Sequence, residues 1–364
     1  MNNIKIITSQ TISQQILKSP KMRAFNIVPY LEELQEKSNE DFKELIEICK
    51  SMLSFMNGAE HLKLRKIISK PMSMKSISIY KDQINNIIEK ILDNFLKESN
   101  PDLVLHFTNP LYISIIEDIF GFKIKDKDVF LKNIELSTTI TEPLLSIKSL
   151  KKLQKNYLEL AEEIHKQIII EKNSGLLDEI SKNMKENIEE KQLIIILMTL
   201  VIASRTTTES LVCILCEYNN LDNEIKNKMI DEFWLMHNVD HLVRLCASTK
   251  YLTRVANEDI SFDDLHLKKD EQIIIDVYKA NRDTSFYENN IDFSQLSNKE
   301  NSHIGFGGGS HICSGLHFAK LVIIATIPRF FNKIKQFKYD KNKITYQFST
   351  FAKRAKSCPI TFDN

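Results

Sequence analysis

The chain has 364 residues, with 49 Lys and Arg against 48 Asp and Glu, a formal charge of +1. That balance argues against a nucleic-acid binder working through bulk charge, because such domains are strongly basic. Hydrophobic residues make up 43% and aromatics 9%, which is enough for a large core and too apolar for a disordered chain.

Gly and Pro number only eight each, so long helices are expected rather than many short strands. The first residues lack a basic stretch followed by an apolar core, so no signal peptide is expected. Ser9 to Lys18 reads as a short helix stopped by Ser19 and Pro20. Two further helices are expected at 30–37 and 40–56, leading to Gly58, and a basic helix at 60–70. Residues 77–98 and 147–172 carry apolar positions at three- and four-residue spacing, as amphipathic helices do. Gln192 to about Cys216 is apolar on most sides, which marks a central helix. Its longest apolar run, Leu193 to Ala203, is shorter than the ~18–20 residues that span a bilayer, so a soluble, cytoplasmic chain without a membrane is expected.

After residue 245 short β-like runs appear at Lys250–Val255, Gln272–Val277 and Ile344–Phe348. Small sheets beside a helical body are therefore expected. No long linker, internal repeat or low-complexity tract is present, so residues 1–364 read as a single domain. Six cysteines (Cys49, Cys213, Cys216, Cys246, Cys313 and Cys358) are scattered without a disulfide framework, as in a reducing cytosol.

Gly305, Gly307, Gly308, Gly309 and Gly315 fall within eleven residues. Cys313 lies among them, and an apolar helical stretch from Leu316 is expected to stop at Pro328. Three readings compete. A phosphate loop would need a Lys-Ser/Thr or a strand-Gly-x-Gly-x-x-Gly-helix order, and neither is here. A plain glycine loop with a core cysteine is the second. The third is a thiolate ligand in a rigid loop against a flat cofactor, with the following helix N-terminus stabilising the anionic sulfur.

The string Phe306-Gly307-Gly308-Gly309-Ser310-His311-Ile312-Cys313-Ser314-Gly315 resembles the haem-binding signature of the cytochrome P450 family, with all six specified positions present. Glu60-His61-Leu62-Lys63-Leu64-Arg65 is similar to the family's His-x-x-x-Arg element, and Arg254-Val255 to the strand whose Arg meets a haem propionate. Ala280-Asn281-Arg282-Asp283 and Cys358-Pro359-Ile360 resemble further family elements. The resemblance implies the mainly-α cytochrome P450 fold, with haem b between the central helix and the Cys loop. It implies Cys313 as the iron ligand. It implies His61, Arg65, Arg254 and His311 at the propionates, and Phe306, Gly307, Gly309 and Gly315 cradling the ring. The activity implied is oxidation of a small organic molecule in specialised metabolism, with electrons from a ferredoxin or flavodoxin. A pocket is expected around Leu200–Thr207 and the stretches 25–57 and 135–150.

The chain departs from the pattern twice. Ala203-Ser204-Arg205-Thr206-Thr207 stands where the family carries an acid followed by an alcohol. Thr207 matches the alcohol and Thr206 replaces the acid, so these two are the expected catalytic pair. Glu209, one turn on, is a candidate substitute acid. Arg205 either pairs with a carboxylate on a neighbouring helix or meets an acidic substrate. The family's Glu-x-x-Arg becomes His241-Leu242-Val243-Arg244, and no Arg occurs between Arg282 and Arg329. Arg244 must then find another acceptor, for which Asp240 is the nearest.

These departures keep two alternatives open: a peroxide-using or non-oxygenase haem-thiolate enzyme, and a degenerate auxiliary partner of another biosynthetic enzyme. Cys213 and Cys216, like His237 and His241, read as structural rather than metal-binding. Phe330 and Phe331 read as core. Lys63, Lys66, Lys70 and Lys320 form a candidate basic patch for an acidic electron donor.

Overall fold

The computed structural model describes residues 4–219, 221, 223–288 and 302–362. They fall into two compact units. The first comprises Met1–Arg23, Ser78–Tyr112 and Thr206–Asn364; the second comprises Ala24–Ile77 and Ile113–Arg205. The architecture is the expected one, mainly helical with four small sheets.

The first unit is built on a four-stranded sheet ordered Lys5–Ile7, Gln272–Asp276, Tyr251–Ala256 and Met22–Ala24. Lys5–Ile7 runs parallel to Gln272–Asp276, with Ile7 beside Ile275; Tyr251–Ala256 runs antiparallel, with Arg254 opposite Ile273. Alternation along the strands sends Ile273 and Ile275 to one face. There they join Ile16 and Leu17 from the helix Gln10–Lys18 in one buried cluster. That helix starts where expected, its first turn capped by the Ser9 hydroxyl.

Leu316–Lys333 forms one helix of 18 residues, so Pro328 does not stop it as the sequence suggests. Proline removes one backbone donor, but the surrounding packing outweighs that loss. Phe330 is fully buried, with ring centroids 5.2 Å from Phe107 and 6.0 Å from Phe337. Arg329 also donates back to the Ala325 carbonyl at 3.0 Å. Phe330 and Phe331 are core residues, as expected.

In the second unit the helices Lys127–Ser137 and Ile147–Ile164 are clamped by buried polar contacts. Tyr157 donates to the Ser137 carbonyl at 2.6 Å, and Asn156 to the Ser137 hydroxyl at 2.7 Å. The long helix Glu190–Asn219 extends well past the apolar run seen in the sequence. Contrary to that reading it is, by length and composition, long and apolar enough to cross a membrane; 50% of its apolar window is buried within the chain. The run looked shorter because Arg205 and Glu209 interrupt its composition without interrupting the helix.

One buried carboxylate ties distant parts of the first unit together. Asp102 accepts from the backbone N–H groups of Val104 (2.7 Å), Leu105 (3.0 Å) and Cys358 (3.0 Å), and from the Ser357 hydroxyl. Removing it orphans several buried donors at once. Asp102→Ala is expected to lower stability by about 2–4 kcal/mol in urea unfolding, with Asp102→Asn falling in between.

Candidate active site

The glycine-rich loop is shaped by contacts that only glycine permits. Gly307 and Gly309 sit at φ +71° and +62°, a region that disfavours side chains. A Cβ on Gly309 would lie 1.9 Å from the Leu17 carbonyl oxygen, so the loop rests directly on the backbone of the Gln10–Lys18 helix. Within the loop the Cys313 N–H donates to the Phe306 carbonyl at 2.9 Å, and the Gly307 N–H to Ile304 at 2.9 Å. Cys313 is exposed and lies three residues before the first residue of the Leu316–Lys333 helix. The free N–H groups of that helix start favour an anionic sulfur.

The loop is anchored at both flanks by one carboxylate. Asp240, on the helix Glu232–Cys246, accepts from His303 Nε2 at 3.0 Å and from Lys320 Nζ at 2.6 Å. His303 precedes the glycines and Lys320 follows Cys313. His303 Nδ1 accepts the Gly305 N–H at 3.0 Å, which fixes the proton on Nε2. Burial alone would raise the Asp240 carboxyl, but the His303 and Lys320 hydrogen bonds and the Lys320 charge outweigh it and hold it below the usual range. A third anchor is Asn281, whose side-chain oxygen accepts the Ile304 N–H at 2.9 Å.

Asp240 is therefore not the acceptor for Arg244, contrary to expectation. It is committed to the two loop flanks. Arg244, 1% exposed, donates to the Asn281 carbonyl at 2.7 Å and to His241 Nδ1 at 3.4 Å, and its guanidinium lies 4.5 Å from the Tyr287 ring centroid. A carbonyl dipole, an imidazole and a π-face are thus among the groups that surround this buried cation. Lys320 likewise leaves the expected basic patch, because it belongs to the Asp240 pair. Lys63 and Lys66 remain exposed on the helix Gly58–Ser69, and Lys70 at its C-terminal cap.

Arg254 carries the test of a carboxylate-bearing cofactor. Its side chain is 6% exposed, and its guanidinium donates to the Thr253 carbonyl at 2.8 Å. Among the described residues no carboxylate pairs with it. Burial pulls its pKa down to about 10, as an uncompensated buried cation requires. A propionate would supply the missing anion. With an exposed cysteine in a glycine cradle, the residues of the first unit fit haem.

In the second unit, His61 and Arg65 lie one turn apart on the Gly58–Ser69 helix. His61 is buried, and burial together with the Arg65 charge lowers its pKa to about 4. It is neutral near pH 7, so it offers a hydrogen bond while Arg65 carries the charge.

Thr206 and Thr207 are half-exposed on the long helix. Thr199 returns its hydroxyl to the Ile195 carbonyl and Ser204 to Val201, both at 2.8 Å. No described residue engages the Thr206 or Thr207 hydroxyl. Glu209, the candidate substitute acid, has a side chain only 6% exposed, with its Oε2 3.7 Å from Arg354 Nε.

Comparison with known proteins agrees with this geometry. Residues 222–358 match the family model Cytochrome P450. A Bacillus subtilis (strain 168) protein named Cytochrome P450 is 23% identical over 330 residues, covering 86% of this chain and 78% of its own. The biotin biosynthesis cytochrome P450 of the same strain is 22% identical over 366 residues, covering 98% and 90%. The crystal structure of P450BioI in complex with hexadec-9Z-enoic acid ligated acyl carrier protein superposes with a TM-score of 0.84 at 20% identity, covering 98% of this chain and 92% of that one. The fold is that of solved cytochrome P450 structures, and residues 222–358, which carry the Cys loop, match the cytochrome P450 family model.

Sequence reasoning missed His303 as an anchor. Its partner Asp240 lies 63 residues away, and nothing local marks the pair.

Two outcomes are expected. Asp240→Asn weakens both flank contacts, so the ferrous carbon monoxide complex should convert faster to the blue-shifted form of a protonated or displaced thiolate, measured by absorbance against time. His61 titrates near 4 in the folded chain against 6.5 as its ordinary value. Stability is therefore full above pH ~6.5 and falls as pH drops toward ~4, where the unfolded chain binds the proton that the folded one resists. His61→Gln should flatten that part of the curve in urea unfolding at stepped pH.

Proposed function

We propose that this chain is a monooxygenase-type enzyme for a small organic molecule of specialised metabolism, working in the cytoplasm with a small acidic ferredoxin or flavodoxin as electron donor. The observation that carries this reading is the Cys313 loop, which presents one exposed sulfur ahead of a helix N-terminus, with its backbone tied down on both sides. The bound haem supplies the oxidising chemistry, with thiolate donation favouring O–O cleavage.

The protein supplies the rest. Cys313 would hold the iron through its sulfur. Phe306, Gly307, Gly309 and Gly315 shape the cradle. Arg254, Arg65, His61 and His311 hold the propionates, His61 as a neutral donor. Thr207 passes protons to the reacting oxygen, with Thr206 beside it as a second hydroxyl. The exposed Lys63, Lys66 and Lys70 attract the acidic donor by steering. P450BioI is seen with a fatty acyl chain on a carrier protein, so carrier-tethered acyl chains belong in the substrate screen beside free ones.

A second reading has its own support. Thr206 stands in the acid's place, and the Glu209 side chain, one turn on, is buried beside Arg354. Peroxide brings both oxygen atoms already reduced and asks less of such a relay.

The carbon monoxide spectrum of the dithionite-reduced protein tests the first step. A strongly red-shifted Soret band, lost in Cys313→Ala, is expected; haem-free protein would remove the enzymatic reading. Turnover with reductant and ferredoxin, set against peroxide alone, then separates the two mechanisms. On the monooxygenase reading, Thr207→Ala should leave the spectrum intact and lower product per electron consumed by roughly 10-fold or more.

A further inference from the structure

The end of the helix Glu190–Asn219 carries groups that the site above leaves unused. Glu209, Val212, Cys213, Cys216 and Glu217 recur at three- and four-residue spacing and so share one face. Within the first unit, that face and the C-terminal stretch 339–355 enclose a cavity of about 170 Å³. A dry cavity of roughly 150 Å³ holds a benzene ring, so this one takes a small organic molecule. None of its lining residues belongs to the Cys loop or to the groups assigned to haem.

One lining residue presents an unmet polar group. Ser248 is 2% exposed, and its hydroxyl oxygen is buried with no hydrogen-bond partner among the described residues. Its backbone is fixed on both sides: the Ser248 N–H donates to the Ser210 hydroxyl at 3.2 Å, and the Ser248 carbonyl accepts the Lys353 N–H at 2.7 Å. A buried hydroxyl without a partner is costly, and a bound polar molecule removes that cost.

The charges around the cavity are divided by origin. The helix face supplies the carboxylates of Glu209 and Glu217, and the C-terminal stretch supplies the ammonium groups of Lys341 and Lys353. Glu209 Oε2 already lies 3.7 Å from Arg354 Nε. Among the described residues no ion pair or hydrogen bond engages the side chains of Glu217, Lys341 or Lys353. Lys353 Nζ stands 5.8 Å from the Tyr346 ring centroid. Val212, Ile344 and Ala355 add apolar surface. An anion alone would meet the Glu217 carboxylate, and a cation alone would meet the two lysines. A neutral apolar molecule would leave Ser248 unserved. A zwitterion on a short apolar body answers every one of these groups.

We propose that this cavity binds a free α-amino acid with an aliphatic side chain. Its carboxylate lies toward Lys341 and Lys353, its ammonium toward Glu217 and its side chain against Val212 and Ile344, with Ser248 adding a hydrogen bond. Charge-assisted contacts at both ends make each end separately recognisable. The bound molecule joins the helix that bears Thr207 to the C-terminal stretch, and a ligand that binds only the folded chain stabilises it by mass action.

The test uses the haem-loaded full chain, titrated in a calorimeter with L-leucine, L-isoleucine and L-valine, while the haem absorbance is followed in parallel. Saturable binding is expected with the Soret band unmoved, because a molecule seated over the haem would shift that band and one in this cavity would not. Isocaproate lacks the ammonium of leucine, and isoamylamine lacks its carboxylate; each should bind about tenfold more weakly than leucine. Glu217→Gln and Lys353→Met should each weaken leucine by a similar factor, with an unchanged carbon monoxide spectrum as the check that the variants fold. The analogue series on the unsubstituted chain keeps the test decisive where a variant does not fold. No saturable binding of any of the three amino acids at millimolar concentration, binding of either one-ended analogue as tight as that of leucine, or leucine binding that shifts the Soret band and ignores both variants would each overturn the proposal.

Discussion

The placement of Cys313 depends on one carboxylate. Asp240 grips the residue before the glycine run and a residue in the first turns of the following helix, so both ends of the loop are fixed to a single point. A loop rich in glycine loses much conformational entropy on ordering, and the covalent chain alone cannot hold it in one shape. Asp240, the Asn281 contact to Ile304 and the Gly309 seat on Leu17 together supply that constraint. The helix Glu232–Cys246 is thus the mount for the thiolate, although none of its residues belongs to the Cys motif.

The same helix shows how neutral groups share a buried cation. Arg244 is almost fully buried, and an isolated buried cation is costly. The guanidinium offers five donors in a fixed fork, so a carbonyl, an imidazole nitrogen and an aromatic face can share the work of a carboxylate. His at 241, where the family pattern has Glu, is consistent with this, because an imidazole nitrogen can accept a hydrogen bond from the guanidinium. Asp240 is released to serve the loop. Two neighbouring residues on one helix have therefore divided the tasks of anchoring the arginine side and anchoring the cysteine side.

Local signals were legible in the sequence, and pairings were not. The glycine run, the cysteine, the Ser9 helix start and the strands near Lys250 and Gln272 are set by a few consecutive residues, and the structure keeps them. The Pro328 stop failed because aromatic packing at Phe330 outweighed a local backbone penalty. Asp240 was assigned to Arg244 by proximity along the helix, yet it meets His303 and Lys320, which lie 63 and 80 residues away. Glu209 looked available because it shares a turn with Thr206; Arg354, from the C-terminal segment, claims it. In each case the residue type was visible, and the partner depended on how the chain returns to itself.

Those partners also explain why the central helix presents hydroxyls without an acid. A carboxylate at 206 would need either solvent or a cation to stay ionised, and the nearest acid, Glu209, is already matched by Arg354. Among the described residues none engages the Thr206 or Thr207 hydroxyl, while Thr199 and Ser204 satisfy themselves on their own helix. Hydroxyls relay protons only when something supplies them. On the proposed reading the supply is water or the substrate itself, and the choice of oxidant then rests on how often that supply fails.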